Sequence, residues 1–166
     1  MSNKIVLIVH NVRSCYNVGS LLRTADGLGV YQVYFTGYTP YPPIKNDGRL
    51  PHIANKISRQ IKKTSLGAEK SVVWKHEAEI KPLLNRLKKD NFQIAALEQI
   101  SRSVNLPSFS NNRNLALIAG NEVEGLDEEV LAEADICLEI PMSGTKESFN
   151  VAVAAAVALY HLKYHC

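Results

Sequence analysis

This 166-residue sequence lacks the short motifs of several large enzyme classes. No GxGxxG follows the first predicted strand, and the chain contains no HExxH, no GxSxG and no GxxxxGK followed by Ser or Thr. These absences argue against Rossmann dinucleotide binding, P-loop nucleotide binding, zinc peptidase activity and serine hydrolase activity.

Cysteine and long apolar runs are also scarce. The three cysteines, Cys15, Cys137 and Cys166, form no CxxC pair, so we expect neither a disulfide framework nor a zinc site. This cysteine usage indicates a reducing compartment. No apolar run approaches the roughly 20 residues that cross a bilayer, and Lys4–Val9 is too short for the core of a signal peptide. We therefore expect one cytoplasmic domain over residues 1–166, without a metal and without a membrane span.

Predicted strands and helices alternate along the chain. Lys4–His10 and Asn114–Ala119 are continuous apolar runs, as in strands that a parallel sheet buries on both faces. Further strands are predicted at Gln32–Thr36, Val72–Lys75, Phe92–Leu97 and Ile136–Ile140. The first predicted helix follows an Asn17 cap and ends at Gly27 and Gly29. Further helices are predicted at Pro51–Lys63, Ile80–Lys89 and Asp127–Ala134, and a last one starts near Ser148 or Asn150. Residues Ser101–Arg113 are predicted to form a polar loop. This alternation predicts an α/β domain with a mostly parallel sheet and helices on both faces.

The last predicted helix is apolar on all sides. From Val151 to Tyr160 it carries no charged or strongly polar side chain and is rich in Ala, so its backbone can approach two neighbours closely. A helix that is apolar all round is expected to be buried. We predict that one side packs on the sheet and the other on a second subunit.

Charge is distributed unevenly. Residues 45–63 contain six bases and one acid, whereas residues 122–147 contain nine acids and one base. The basic block is consistent with a polyanionic partner, and equally with a solvated helix face.

Three polar loops follow predicted strands, at the sheet edge where open α/β folds bind ligands. The first loop carries Asn11, Asn17, Gly19 and Arg23, and the second is Gly120–Gly125. The third is Ile140–Gly144, which continues to Ser148 and Asn150. Taken singly, each has a structural explanation: a helix cap for Asn17 and for either Ser148 or Asn150, a solvated side chain for Arg23, and a loop carboxylate for Glu122. The helix after Gly125 begins with Asp127, Glu128 and Glu129, which disfavours phosphate there, so a neutral or cationic ligand is expected.

Together and in this order, these residues resemble the SPOUT superfamily, in its TrmH/SpoU branch of RNA ribose 2′-O-methyltransferases. The first motif of that branch matches Asn17, Gly19, Arg23-Thr24-Ala25 and Gly29. The second matches Gly120-Asn121-Glu122 with Gly125, and the third matches Ile140-Pro141-Met142, Gly144, Ser148 and Asn150 before the Ala-rich helix. Phe149 stands where the branch often has Leu, and His10–Cys15 lacks its usual proline.

The resemblance implies a C-terminal trefoil knot, a homodimer packed through the last helix, and S-adenosylmethionine as the cofactor. The implied cofactor contacts are Leu97, Gly120, Asn121, Gly125, Ile140, Met142, Ser148 and Asn150. Arg23 corresponds to the catalytic arginine of the family, with its role open between proton acceptor and orienting cation, because a guanidinium has a pKa above about 12. Asn17, Glu122, Ser148 and Asn150 would position Arg23 and the ribose, and no metal is implied.

The implied substrate is RNA. Arg23, Lys56, Arg59, Lys62 and Lys63 are predicted to contact it, and the segment from about Asn46 to Gln60 resembles an insertion. The chain is similar to the minimal members that act on tRNA position 34. Ribosomal RNA methylation and a catalytically silent RNA-binding protein on the same fold are the alternatives, and binding of S-adenosylmethionine separates the silent protein from an enzyme.

Overall fold

The computed structural model describes residues 3–165. Its strands are β1 (Ile5–His10), β2 (Gln32–Thr36), β3 (Trp74–Glu77), β4 (Gln93–Leu97), β5 (Val104–Asn105), β6 (Leu115–Ala119) and β7 (Ile136–Glu139). Its helices are α1 (Cys15–Gly27), α2 (Pro51–Ser65), α3 (Ala68–Ser71), α4 (Ile80–Lys89), α5 (Glu128–Glu133) and α6 (Val151–Tyr164), with a 3-10 turn at Leu106–Ser108.

All seven strands form one parallel sheet in the order β3-β2-β1-β6-β4-β7-β5. The central strands β1 and β6 are buried along their whole length, as their unbroken apolar runs predicted. Alternate β1 side chains enter two separate cores. Leu7 packs in the core with α1 and α6, whereas Ile8 packs in the core with α4 and α5, so helices cover both faces and the predicted α/β class is confirmed.

Three local predictions were wrong. The strand expected at Val72–Lys75 lies at Trp74–Glu77, where Trp74 pairs in register with Val33. The loop expected at Ser101–Arg113 contains β5 and the 3-10 turn. Ser14, not Asn17, caps α1, because the Ser14 hydroxyl accepts the Asn17 N–H at 3.2 Å and leaves the Asn17 side chain free for another partner.

Strand β7 lies between two strands that are consecutive in sequence. It pairs with β4 on one side and with β5 on the other, and residues 98–103 connect those two strands at the carboxyl end of β7. The chain that leaves β7 then runs through residues 140–150 into α6, whose His161 Nε2 lies 2.8 Å from the Phe109 carbonyl oxygen. The last helix is thus fixed against the segment that follows β5.

Helix α6 is buried on one face within this chain, as predicted for the side that packs on the sheet. Its buried face packs on the sheet and comprises Val151, Ala152, Ala155, Ala158, Leu159 and Leu162. An exposed apolar stripe runs along the other face at helical spacing and comprises Val153, Val157, Tyr160 and Tyr164, each 42–58% accessible.

Helix α2, within which most of the predicted insertion falls, is an integral part of the α1 layer. Its buried positions, Ala54, Ser58, Ile61 and Ser65, recur at helical spacing. Gly19 allows the two helices to approach closely, because a Cβ there would lie 2.1 Å from Thr64 Oγ1 and 2.3 Å from the Ile61 carbonyl oxygen. Gly19, a residue of the first motif, is therefore required for packing.

Two observations concern the remaining sequence expectations. Within residues 3–165, no helix has the length and apolar character needed to cross a membrane, and no cluster of three or more His, Cys, Asp or Glu side chains could hold a metal ion. Cys15 and Cys137 are free thiols, and Cys166 lies outside the described residues.

Candidate active site

A pocket of about 180 Å³ lies at the carboxyl ends of β4, β6 and β7. Its wall includes seven of the eight predicted cofactor contacts: Leu97, Gly120, Asn121, Gly125, Ile140, Met142 and Ser148. Asn150, the eighth, does not line it. The wall also carries four carboxylates, Glu98, Glu122, Glu139 and Glu147, and no basic side chain among the described residues. Such a wall suits a neutral or cationic ligand, as the sequence predicted.

Asn121 organises the loop that forms one side of this pocket. Its Oδ1 accepts the N–H groups of Val123 (2.8 Å) and Glu124 (3.0 Å), which tightens the turn from Asn121 to Gly125. Its Nδ2 donates to the Asn11 carbonyl oxygen (3.1 Å) and to the Tyr38 hydroxyl (2.6 Å). Since both ends of this buried amide are occupied, we assign the Asn121 side chain to loop structure. The Asn121 backbone closes the same turn, because its N–H donates to the Gly125 carbonyl oxygen at 3.2 Å and its own carbonyl oxygen accepts the Gly125 N–H at 3.1 Å.

The glycines of this loop are set by close packing. Gly125 has a φ of +70°, and a Cβ there would lie 2.4 Å from Glu98 Oε2. The same Glu98 oxygen accepts the Leu126 N–H at 3.0 Å, which ties the loop to the end of β4. A Cβ on Gly120 would lie 2.7 Å from the Leu126 side chain. Neither glycine can be replaced without moving the pocket wall.

A chain of hydrogen bonds joins one residue from each of the three motifs. Asn17 Nδ2 donates to Glu122 Oε1 over 2.8 Å, and Asn150 Nδ2 donates to Asn17 Oδ1 over 3.2 Å. Asn150 Oδ1 accepts the N–H groups of Ala152 (2.9 Å) and Val153 (3.4 Å), so it caps α6. Because a carboxylate only accepts and a backbone N–H only donates, the orientation of both amides is fixed. Asn150, rather than Ser148, is thus the cap that the sequence left open.

Glu122 is held as a carboxylate at the start of α1. Partial burial tends to raise its pKa, but hydrogen bonds from the Arg13 N–H, the Asn17 amide and the Ser14 N–H outweigh burial and leave the pKa below its ordinary value. A carboxylate stabilised in this way is a poor general base. Its hydrogen bonds hold the start of α1 and the Asn17 side chain in place.

Arg23 lies apart from this pocket. It is exposed and lines a separate surface depression with Ser20 and Thr24 of α1 and with Lys63 and Thr64 of α2. Within one chain the structure therefore brings Arg23 together with a predicted RNA contact, Lys63, and not with the predicted cofactor contacts.

The four predicted RNA-binding bases of α2 are all exposed. Lys56, Arg59, Lys62 and Lys63 form no salt bridge within residues 3–165, while acids of residues 122–147 pair with Arg13, Lys81 and Lys88. Arg49, by contrast, is occupied: its Nε donates to Asp47 at 2.8 Å and its Nη1 to the Tyr41 carbonyl oxygen at 3.0 Å. The exposed bases are compatible with both interpretations of the basic block.

Sequence reasoning missed three residues that shape the site. Ser14 caps α1, Glu98 supports the pocket loop, and Tyr38 bonds to Asn121. Ser14 precedes the helical pattern and could have been found as a cap. Glu98 and Tyr38 each follow a predicted strand closely, but their partners lie 28 and 83 residues away.

A family model and several relatives match this chain over nearly its whole length. The SpoU rRNA Methylase family model matches residues 4–160. A tRNA (guanosine(18)-2′-O)-methyltransferase of Borreliella burgdorferi is 27% identical over 161 residues, which cover 97% of this chain and 66% of that protein.

Solved structures share the fold. An AdoMet-bound rRNA methyltransferase from Sinorhizobium meliloti superposes with a TM-score of 0.81 at 22% identity, over 99% of this chain and 57% of that one. A structure described as concerning 2-OH methylation of C/U34 on tRNA gives a TM-score of 0.75 at 27% identity, over 96% of this chain and 93% of that one. The chain thus spans just under two thirds of the B. burgdorferi enzyme and just over half of the S. meliloti chain. With a family match that extends over nearly its whole length, this chain belongs to the SpoU rRNA methylase family.

Proposed function

We propose that this protein is an S-adenosylmethionine-dependent RNA methyltransferase that modifies a ribose 2′-hydroxyl of tRNA. The observation that carries the proposal is the hydrogen-bonded chain Glu122–Asn17–Asn150, which lies beside the carboxylate-lined pocket. That chain joins all three motifs at one place, and RNA binding alone would not require it. Family membership and the tRNA methyltransferase among its relatives support the same function.

S-adenosylmethionine is assigned to the pocket between residues 120–125 and 140–148. Its sulfonium supplies the methyl group, and the cationic sulfur suits a wall that carries carboxylates. Leu97, Leu138 and Ile140 offer apolar surface, while the backbone at Gly120 and the Ser148 hydroxyl offer polar contacts. The residues present therefore fit the cofactor, and no metal enters the proposal.

The protein groups would act by positioning the ribose. A 2′-hydroxyl must lie in line with the methyl group and lose its proton as the bond to carbon forms. Asn17 and Asn150 are fixed donors and acceptors at the pocket edge, Ser148 lines its wall, and ionised Glu122 holds Asn17 in place. We assign to Arg23 contact with the reacting nucleotide, as proton acceptor or orienting cation.

Because Arg23 lies outside the pocket of its own chain, a second copy is the natural source of this side chain. The exposed stripe on α6 supports a homodimer, since Val153, Val157 and Tyr160 leave an apolar surface uncovered. α6 also packs beside α1, which carries Arg23. We therefore propose that the active site combines the pocket of one protomer with Arg23 of the other.

A trefoil knot at the C-terminal end is part of the proposal. Its support is the position of β7 between β4 and β5, because residues 98–103 join those two strands at the end of β7 from which the chain continues to α6. Knots are rare in proteins, so the sheet order does not by itself establish one, and the knot needs a test of its own. Hydrogen exchange that protects residues 98–103 and α6 as one unit is expected for a threaded segment.

Methyl transfer with labelled S-adenosylmethionine tests the function. Unmodified tRNA and ribosomal RNA are offered separately to wild type and to Arg23→Ala, and cofactor affinity is measured by calorimetry after chelator treatment. We expect labelled tRNA with wild type only, and equal cofactor affinity in both proteins, because Arg23 acts on the ribose side. Methylation of rRNA but not of tRNA would show that rRNA is the substrate. Cofactor binding without methylation of either RNA would indicate a silent RNA-binding protein. Fractionation of cells tests the cytoplasmic location that we propose with this substrate.

Mapping of the modified nucleotide identifies the position. The structure described as concerning 2-OH methylation of C/U34 on tRNA aligns over 96% of this chain and 93% of its own, which supports position 34. The B. burgdorferi relative is named for guanosine 18. A 2′-O-methyl group at one of these nucleotides, located by alkaline cleavage or mass spectrometry, decides between them.

A further inference from the structure

Tyr38 presents an aromatic ring to solvent at the edge of the pocket. The side chain is 54% exposed, although its hydroxyl accepts a 2.6 Å hydrogen bond from Asn121 Nδ2. Asn121 itself lines the pocket. One end of Tyr38 is therefore anchored in the site, while much of its surface stays uncovered.

The backbone around Tyr38 is held rigidly. Its N–H donates to Asn11 Oδ1 at 3.2 Å, and Gly37 before it has a φ of +64°, where a Cβ would lie 1.9 Å from the same oxygen. Thr39 after it is buried, and its hydroxyl accepts the Val12 N–H at 3.1 Å. A ring fixed in this way loses little conformational entropy when a ligand packs on it.

The surroundings of Asn11 fix the orientation of this support. Asn11 Oδ1 accepts from Tyr38, so its Nδ2 points to His10 Nε2, 3.1 Å away. His10 Nδ1 then donates to Thr36 Oγ1 at 2.8 Å. Burial lowers the pKa of His10, which keeps the imidazole neutral as this arrangement requires.

A cation lies beside the ring. Arg13 lies close to Tyr38, and its interaction with the Tyr38 hydroxyl raises the pKa of the guanidinium. The Arg13 backbone N–H donates to Glu122, so Tyr38 and the hydrogen-bonded chain of the active site share neighbours. An exposed aromatic face next to an arginine is the kind of surface that binds unpaired bases in single-stranded RNA.

We propose that the ring of Tyr38 stacks on the unpaired base of the nucleotide whose ribose is methylated. This inference rests on the proposed function and adds to it that the substrate nucleotide is unstacked from its neighbours. Stacking of one base on an aromatic side chain corresponds to a change of about 5- to 150-fold in affinity. The competing role for Tyr38 is only to anchor the loop of Asn121.

The test compares an intact stem-loop RNA with the same RNA that carries an abasic ribose at the mapped nucleotide. The 2′-hydroxyl is retained, so methyl transfer stays possible, and KM is measured for both RNAs. For wild type we expect KM to rise about 5- to 150-fold on the abasic RNA. Tyr38→Phe keeps the ring and should keep this ratio, whereas Tyr38→Ala should reduce it to within about twofold of 1, because both changes remove the same stacking interaction.

The outcomes separate the alternatives. Equal ratios in wild type and Tyr38→Ala, or a wild-type ratio near 1 with the intact RNA still methylated, overturn this inference alone. Weaker cofactor binding in Tyr38→Ala at an unchanged ratio assigns Tyr38 to the loop and also overturns it. No methylation of intact RNA by wild type overturns the proposed function and this inference with it. If Tyr38→Ala does not fold, Tyr38→Leu replaces it with the same expectation.

Discussion

Replacement of Asn17 by Asp would set two carboxylates against each other at the start of α1. The Asn17 amide donates to Glu122 over 2.8 Å, and an aspartate would place an oxygen where the donor was. Two unit charges 4 Å apart repel by about 4 kcal/mol at an effective dielectric constant near 20. Both side chains are only partly buried, so solvent screening reduces this value. Together with the lost hydrogen bond, we expect the free energy of unfolding at pH 7 to fall by about 2–3 kcal/mol.

The deficit should depend on pH. In wild type, the lowered pKa of Glu122 adds stability that is present above the ordinary value of 4.5 and is lost as the pH falls through the lowered pKa. In Asn17→Asp, mutual repulsion raises the pKa of the carboxylate pair above that of the unfolded chain. The folded variant then takes up a proton more readily than the unfolded one, so its deficit should shrink as the pH falls from 7 to about 5.

Urea unfolding at pH 7 and pH 5 measures both effects. Asn17→Ala is the matched control, because it removes the donor without adding charge and should cost about 1 kcal/mol at either pH. Protein concentration is kept constant, since an oligomer would make the midpoint depend on it. Equal stability of the two variants at pH 7, or a deficit of Asn17→Asp that does not change at pH 5, would refute the role of Asn17 as an obligatory donor to Glu122.

Three further predictions concern packing, assembly and RNA. Gly19→Ala should lower the free energy of unfolding by about 1–3 kcal/mol, because the added methyl group clashes with α2. Gly27→Ala is the control in the same urea assay, since a Cβ at Gly27 meets nothing within 4 Å among the described residues. Val157→Lys should convert a sedimenting dimer to monomer at micromolar concentration, and a monomeric wild type would contradict the dimer. Replacement of the four exposed bases of α2 by Ala should weaken the salt dependence of RNA binding. The slope of log binding constant against log salt concentration should become shallower by about 0.7 for each phosphate that is no longer neutralised, and cofactor affinity should not change. An unchanged slope would remove these four bases from the RNA site: Lys56, Arg59, Lys62 and Lys63.

The pattern of apolar and polar residues along the chain predicts the layers of the fold and the place of the pocket. The apolar runs of β1 and β6 specify strands buried on both faces, because a strand between two helical layers has no polar side. Loops that follow parallel strands must meet at one edge of the sheet. The predicted contacts from Leu97 to Ser148 therefore line one pocket, although they are spread over more than 50 residues.

The partners of individual side chains, by contrast, depend on contacts between distant parts of the chain. Asn17 looked like a cap, but its amide bonds to Glu122, which is 105 residues away, and a local pattern contains no information about such a partner. Arg23 belongs to the first motif, yet it points to a depression shared with α2, because the packing of α1 on α2 fixes the direction of each face. The apolar sequence of α6 cannot say which side the sheet covers. The fold leaves Val157 exposed and Ala158 buried, because the sheet covers only one face of this helix.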